Sequence, residues 1–178
     1  MNTEVSALVD ECFRQEESCR YTAASLYVWQ KHARFWKVVF IVAPIILGGI
    51  AGSQILGLFG EGNGKIVGLF CGLLAGFFPA IYASLDMGMQ VREIGRAASE
   101  FTSLRDRFRL LANVTSISPF AEFKGSFEVL MDRKDAVRGN APTAPEWCFK
   151  KAQEKIRRGD YTFAVDDASG GDAAGGVS

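Results

Sequence analysis

Charge is missing from two long stretches of this 178-residue chain. Residues 38–60 carry none in 23 positions, and residues 66–85 carry none in 20. A soluble helix keeps a polar face toward water, so such runs exclude two ordinary surface helices. Histidine is scarce as well, with His32 alone, and the four cysteines (Cys12, Cys19, Cys71, Cys148) include no Cys-x-x-Cys pair. That inventory offers no metal or thiol-redox motif. Net charge is zero, which leaves no global field for nucleic acid. The first apolar run starts some 37 residues in and is too long for the core of a leader, so no cleaved signal peptide is expected.

Familiar catalytic signatures are missing too. The glycines before Lys65 are not a phosphate loop, because residue 59 is Phe and residue 66 is Ile where the motif needs Gly and Ser or Thr. No nucleophile elbow appears and no carboxylates are paired for acid–base work, so the chain is expected to be no enzyme, with no catalytic residue, cofactor or metal. His32, beside Lys31 and Arg34, reads as solvated or at headgroup level. The basic run Lys150, Lys151, Lys155, Arg157 and Arg158 reads as a solvated helix face, with anionic lipid or a nucleotide as the other options.

What is present is length and apolarity. At about 1.5 Å per residue the two runs make helices of roughly 34 and 30 Å. A hydrocarbon core of about 30 Å requires that much. Residues 61–65 between them are short enough only for a tight reversal. The prediction is therefore an all-α membrane protein: a two-transmembrane helical hairpin with long cytosolic helical extensions packed as an antiparallel, coiled-coil-like bundle. Its segments are a cytosolic helix over 1–37, spans over 38–60 and 66–85, and an external turn over 61–65. A cytosolic helical region over 86–163 and a disordered tail over 164–178 follow. At this length the chain is expected to be one small unit. Lys31, Arg34 and Lys37 precede the first span and Arg92 and Arg96 follow the second, against Lys65 alone in the loop. Basic residues collect on the cytosolic side, so both termini are placed there.

Heptad spacing runs through both extensions. Val5, Val9, Cys12, Glu16, Cys19, Ala23, Leu26, Gln30 and Ala33 form one seam; Met87, Val91, Ile94, Ala98, Phe101, Arg105, Phe108 and Ala112 form the other. Glu16 and Arg105 are the charged exceptions. Counted from the cytosolic span ends they lie at similar depth, which predicts an ion pair, within one protomer or across two, fixing register. The same count sets Ala23 level with Phe101, Leu26 with Ala98 and Gln30 with Ile94. A further helix is expected over 120–137, with Phe123, Phe127, Leu130 and Met131 on one side, and a short one from Pro145 to Arg158 ended by Gly159.

Inside the spans, small residues recur. Gly68, Gly72 and Gly76 follow a four-residue step that lets helices approach closely, and Gly48 and Gly52 cluster in the first span beside the polar Gln54. Packing and pore lining are both compatible with these residues. Pro44 and Pro79 lie equally far from the cytosolic ends, as candidate hinges or as prolines that a membrane helix tolerates.

The chain resembles the SMODS and SLOG-associating two-transmembrane effector domains, the SLATT family. The similarity covers residues 20–163. It rests on the stretch from Arg20 through Tyr21-Thr22-Ala23-Ala24-Ser25-Leu26-Tyr27, the small-residue hairpin, and Phe101 with Leu104-Arg105-Asp106-Arg107-Phe108. Residues 130–135, Ala144-Pro145-Glu146 and Ile156-Arg157-Arg158-Gly159-Asp160-Tyr161 complete it. The resemblance implies a bacterial anti-phage conflict-system effector, placed in the cell's inner membrane, that makes pores or disrupts that membrane and is coupled to a nucleotide-synthesising or sensing partner. It supplies no catalytic residues. Two helices cannot enclose an aqueous path, so a pore requires a homo-oligomer in the bilayer. The competing expectation is a non-conducting membrane adaptor that recruits a cytosolic partner through its helices.

Overall fold

A computed structural model describes residues 3–55 and 63–159. Among these residues it is all-helical. Helix α1 runs Thr3–Ile55, α2 Asn63–Ser84, α3 Met87–Asn113, α4 Phe120–Asn140 and α5 Glu146–Arg157, with a 3-10 turn at Thr115–Ile117. The 53 residues of α1 are a single helix that continues through Pro44. No Gly or Pro interrupts it before that point, so local preference opposes helix nowhere along the first 40 residues. Helix α2 likewise continues through Pro79. It also takes in Asn63 to Lys65, which were expected in the turn; Asn63 opens the helix. Residues 56–62, the rest of that turn and the end of the first apolar run, lie outside the described residues, as does the tail from residue 160.

The break in the second half falls at Leu85 and Asp86 rather than at a proline. Asp86 takes a left-handed φ of 41°. Its amide bonds back to Ala83 O at 3.3 Å, while its own carbonyl accepts from Met89 N and Gln90 N and so starts α3. Aspartate tolerates this conformation better than most side chains. At the far end, Gly159 has φ 80° and closes the turn after α5 with its amide 3.1 Å from Ile156 O.

The expectation of a single unit is corrected: the described residues form two compact units, 3–28 with 97–159, and 29–55 with 63–96. Their interiors differ for a physical reason. The first has four helical segments to pack around one core, whereas the second is built from long apolar helices with few others to cover them. In the first unit both heptad seams turn inward. Cys12, Cys19, Ala23 and Leu26 of α1 are buried, as are Ala98, Phe101, Phe108 and Ala112 of α3. Helix α4 adds Phe123, Leu130, Lys134 and Val137, and α5 adds Cys148 and Ala152. Phe108 meets Phe127 edge-on at 6.1 Å, and Tyr21 meets Phe149 at 6.1 Å. Burying Phe108 and Phe123 completely contributes on the order of 1.5–3 kcal/mol each.

In the second unit, Gln30 of α1 reaches α3, its Nε2 donating to Val91 O at 3.5 Å. Phe40 packs on Phe78 of α2 at 5.4 Å. A Cβ built on Gly72 would stand 3.9 Å from that of Ala51. Falling numbers on α1 meet rising numbers on α2. Val91 and Ile94 are buried on α3, but the apolar side chains of α2 are not.

Candidate functional site

The feature of the molecule that ordinary folding does not explain is the bare surface of its two apolar segments. Both contain windows with mean hydropathy 2.0, in Thr3–Gly52 and Ile66–Ser84, and none of either window is buried. Ile45 is 70% exposed, Leu69 65%, Phe70 63% and Phe77 61%. A core helix of a soluble protein would have this surface covered, since each Å² of apolar area left in water costs about 25 cal/mol. These two helices are long and apolar enough to cross a membrane.

The glycines expected to pack helices behave unequally. Gly72 has Ala51 opposite it at ordinary contact distance, whereas Cβ atoms at Gly48, Gly52 and Gly76 would meet nothing within 4 Å. Gly68 is half-exposed. Among the described residues of one chain, then, the close approach that the small residues suggest is seen at Gly72 and not at Gly48, Gly52 or Gly76. Gln54 belongs to α1, but its side chain lies outside the described residues. Ser84, the hydroxyl nearest the end of α2, donates back to Ala80 O at 2.8 Å. Pro44 is half-buried and Pro79 exposed, each inside unbroken helix.

A chain of rings marks the end of the first apolar segment. Trp36 Nε1 donates to His32 Nε2 at 2.9 Å, and the Trp36 ring lies 6.3 Å from Phe40, which touches Phe78. Just beyond, Tyr82 and Lys37 bring their polar tips to Gly88: a Cβ there would be 3.5 Å from Tyr82 Oη and 4.0 Å from Lys37 Nζ.

Within the single chain, Arg105 of the expected register pair has a carboxylate beside it in sequence. Arg105 donates from Nε and Nη2 to Asp106 Oδ1, at 2.9 and 2.6 Å. Its carboxylate partner is thus one residue along its own helix. A polar link from α1 to another helix in this unit is made by Lys134, which is buried and donates to Gln15 Oε1 and, at 3.3 Å, to Ser18 Oγ. Sequence reading missed Lys134 because a lysine in an apolar stripe is ordinarily read as facing water. The available signal was spacing: Phe123, Phe127, Leu130, Lys134 and Val137 share one helical face. The register count itself fares well at Gln30. Its bond to Val91 O, and the collision of its amide with a Cβ on Gly95, set it level with residues 91–95, around Ile94.

The three cysteines of the first unit are held as thiols. Burial, with Glu11 adding to it, pushes Cys12 up to about 11. Burial also raises Cys19, against the opposing charge of Lys134, and raises Cys148. Among the described residues no three His, Cys, Asp or Glu side chains gather to hold a metal ion. Compared with protein families, curated proteins and solved structures, the chain matches none.

Proposed function

We propose that the protein is a two-span inner-membrane effector of a bacterial anti-phage system. It assembles with further copies of itself and opens a pore, or disrupts the bilayer, when a partner protein or nucleotide signal triggers it. The observation that carries the membrane part is the uncovered apolar surface of residues 38–52 and 66–84. Contacts that pair falling α1 numbers with rising α2 numbers support a hairpin, and the inward-facing seams support a coiled-coil-like cytosolic bundle. Both termini are cytosolic in this reading. Assembly follows from counting: two helices cannot surround water, and the uncovered glycines at 48, 52 and 76 leave room for another helix to come close. The reading assigns no catalytic residue and no cofactor.

The alternative is a non-conducting membrane adaptor that recruits a cytosolic partner. One observation favours it: the Ser84 hydroxyl is bonded within its own helix, so α2 presents little polarity to wet a channel. Induced expression with a potential-sensitive dye separates the two. An effector depolarises the cell and arrests growth; an adaptor stays in the membrane fraction and leaves the potential unchanged.

A further inference from the structure

We propose that Lys37, Tyr82 and Gly88 form a notch that holds the phosphodiester of a single membrane lipid at the ends of the two apolar helices. The proposal rests on the membrane reading above. Its starting point is a convergence of polar atoms from different helices. Tyr82 Oη and Lys37 Nζ come within 3.5 and 4.0 Å of the position a Gly88 side chain would occupy. In an unbroken helix, residues 82 and 88 would lie about 9 Å apart along the axis and on different faces. The left-handed Asp86 breaks that continuity and brings Gly88 back to the Tyr82 hydroxyl. Glycine then leaves open the space that any longer side chain would fill.

The chemistry of the corner fits a lipid phosphate. Lys37 offers three donors and a positive charge, and Tyr82 a phenolic donor, against the two non-bridging oxygens of a diester. Lys37 is the last charge before the first uncharged run, and Tyr82 lies three residues from the end of the second. Lysine and tyrosine settle at that depth because their apolar bodies stay in hydrocarbon while their tips reach the headgroups. Asp86, exposed in the turn, disfavours a doubly charged free phosphate more than a singly charged diester. Lipid is therefore the source assigned.

Native mass spectrometry of the full chain, titrated with phosphatidylglycerol in detergent, tests this. The expected result is one tightly retained lipid per chain, weakened about tenfold by Lys37→Gln, as one lost charge-assisted hydrogen bond implies. Tyr82→Phe should weaken it less, and Gly88→Leu should abolish it. Arg34→Gln, a nearby basic residue outside the notch, should leave retention unchanged. Circular dichroism checks each variant, and Tyr82→Phe serves if Gly88→Leu does not fold. Equal loss on Arg34→Gln would show only a diffuse basic collar and overturn the notch. Displacement by inorganic phosphate at matched concentration would overturn the lipid assignment. A membrane-resident protein with no selective lipid sinks the notch alone. Recovery of the chain in the soluble cell fraction sinks the membrane reading with it.

Discussion

Lys134 places its ammonium 3.3 Å from the hydroxyl of Ser18, a residue 116 positions earlier, and donates as well to the Gln15 amide. A buried charge answered only by neutral oxygens in these two bonds is costly, and its length matters as much as its sign. Lys134→Met keeps the stem and removes the charge, so stability should stay within about 1 kcal/mol of the parent. Lys134→Ala loses bonds and volume together and should cost about 2–3 kcal/mol. Thermal unfolding of the purified chain compares them. A Met variant as damaged as the Ala variant would show that the charge itself is needed.

Gly95 and Gln30 form a second, separable pair. A Cβ on Gly95 runs into the Gln30 amide, the far end of a flexible side chain, so alanine is accommodated by rotating Gln30 away. The bond lost is a long one, at 3.5 Å. Gly95→Ala should thus change stability by less than about 1 kcal/mol, its gain in helix preference offsetting that bond. Gly95→Leu should destabilise clearly, and adding Gln30→Ala should restore much of the loss. A double mutant no better than Gly95→Leu would place the obstruction elsewhere.

The Cys12 thiol gives a pH dependence with a definite direction. Its value is about 11 in the fold against an ordinary 9.0, because burial penalises the thiolate. The protonated form is what the fold favours, so this contribution is whole below pH 9 and declines as pH rises toward 11. Alkylation of Cys12 at pH 8 should be far slower in the folded chain than after denaturation. Equal rates would show that the first unit opens freely.

The two kinds of glycine in the apolar helices predict different failures. Gly72→Leu should push against Ala51 and disturb the single chain, lowering its thermal stability. A Cβ at Gly76 meets nothing within 4 Å among the described residues, so Gly76→Leu should leave folding and membrane insertion unchanged. Under the proposed assembly it should nevertheless abolish higher oligomers on crosslinking, together with any toxicity. Intact oligomers in Gly76→Leu would assign that face to lipid.

Topology is open to direct labelling. A cysteine at Asn63 should react with an impermeant maleimide applied outside spheroplasts, and one at Ser178 should not. The reverse pattern would invert the orientation.

How much of this was legible beforehand depends on the kind of residue. Cys12, Leu26, Ala98, Phe101 and Phe108 were readable as core because heptad spacing and apolarity agree at each of them. Gln30 was readable at the right height because depth along a helix is simple counting. Arg105 was harder, since counting depth along a helix does not reveal that Asp106, its neighbour in sequence, bonds its guanidinium within the chain. Lys134 was hidden because its partners, Gln15 and Ser18, are neutral and far away in sequence. The division at residues 28 and 97 was hidden as well, because α1 crosses it without any break in helical pattern. Asp86 marked only the end of an uncharged run, with no turn signal beside it, and the prolines drew attention in its place.

That single left-handed aspartate also divides the mechanical character of the chain. Along α1 the helix is continuous from Thr3 to Ile55, with a single donor missing from its ladder at Pro44. Between α2 and α3 the ladder is interrupted at Leu85 and Asp86, and two soft dihedral angles act there as a joint. The polypeptide thus enters its first apolar helix through unbroken secondary structure and leaves its second through a swivel of one residue.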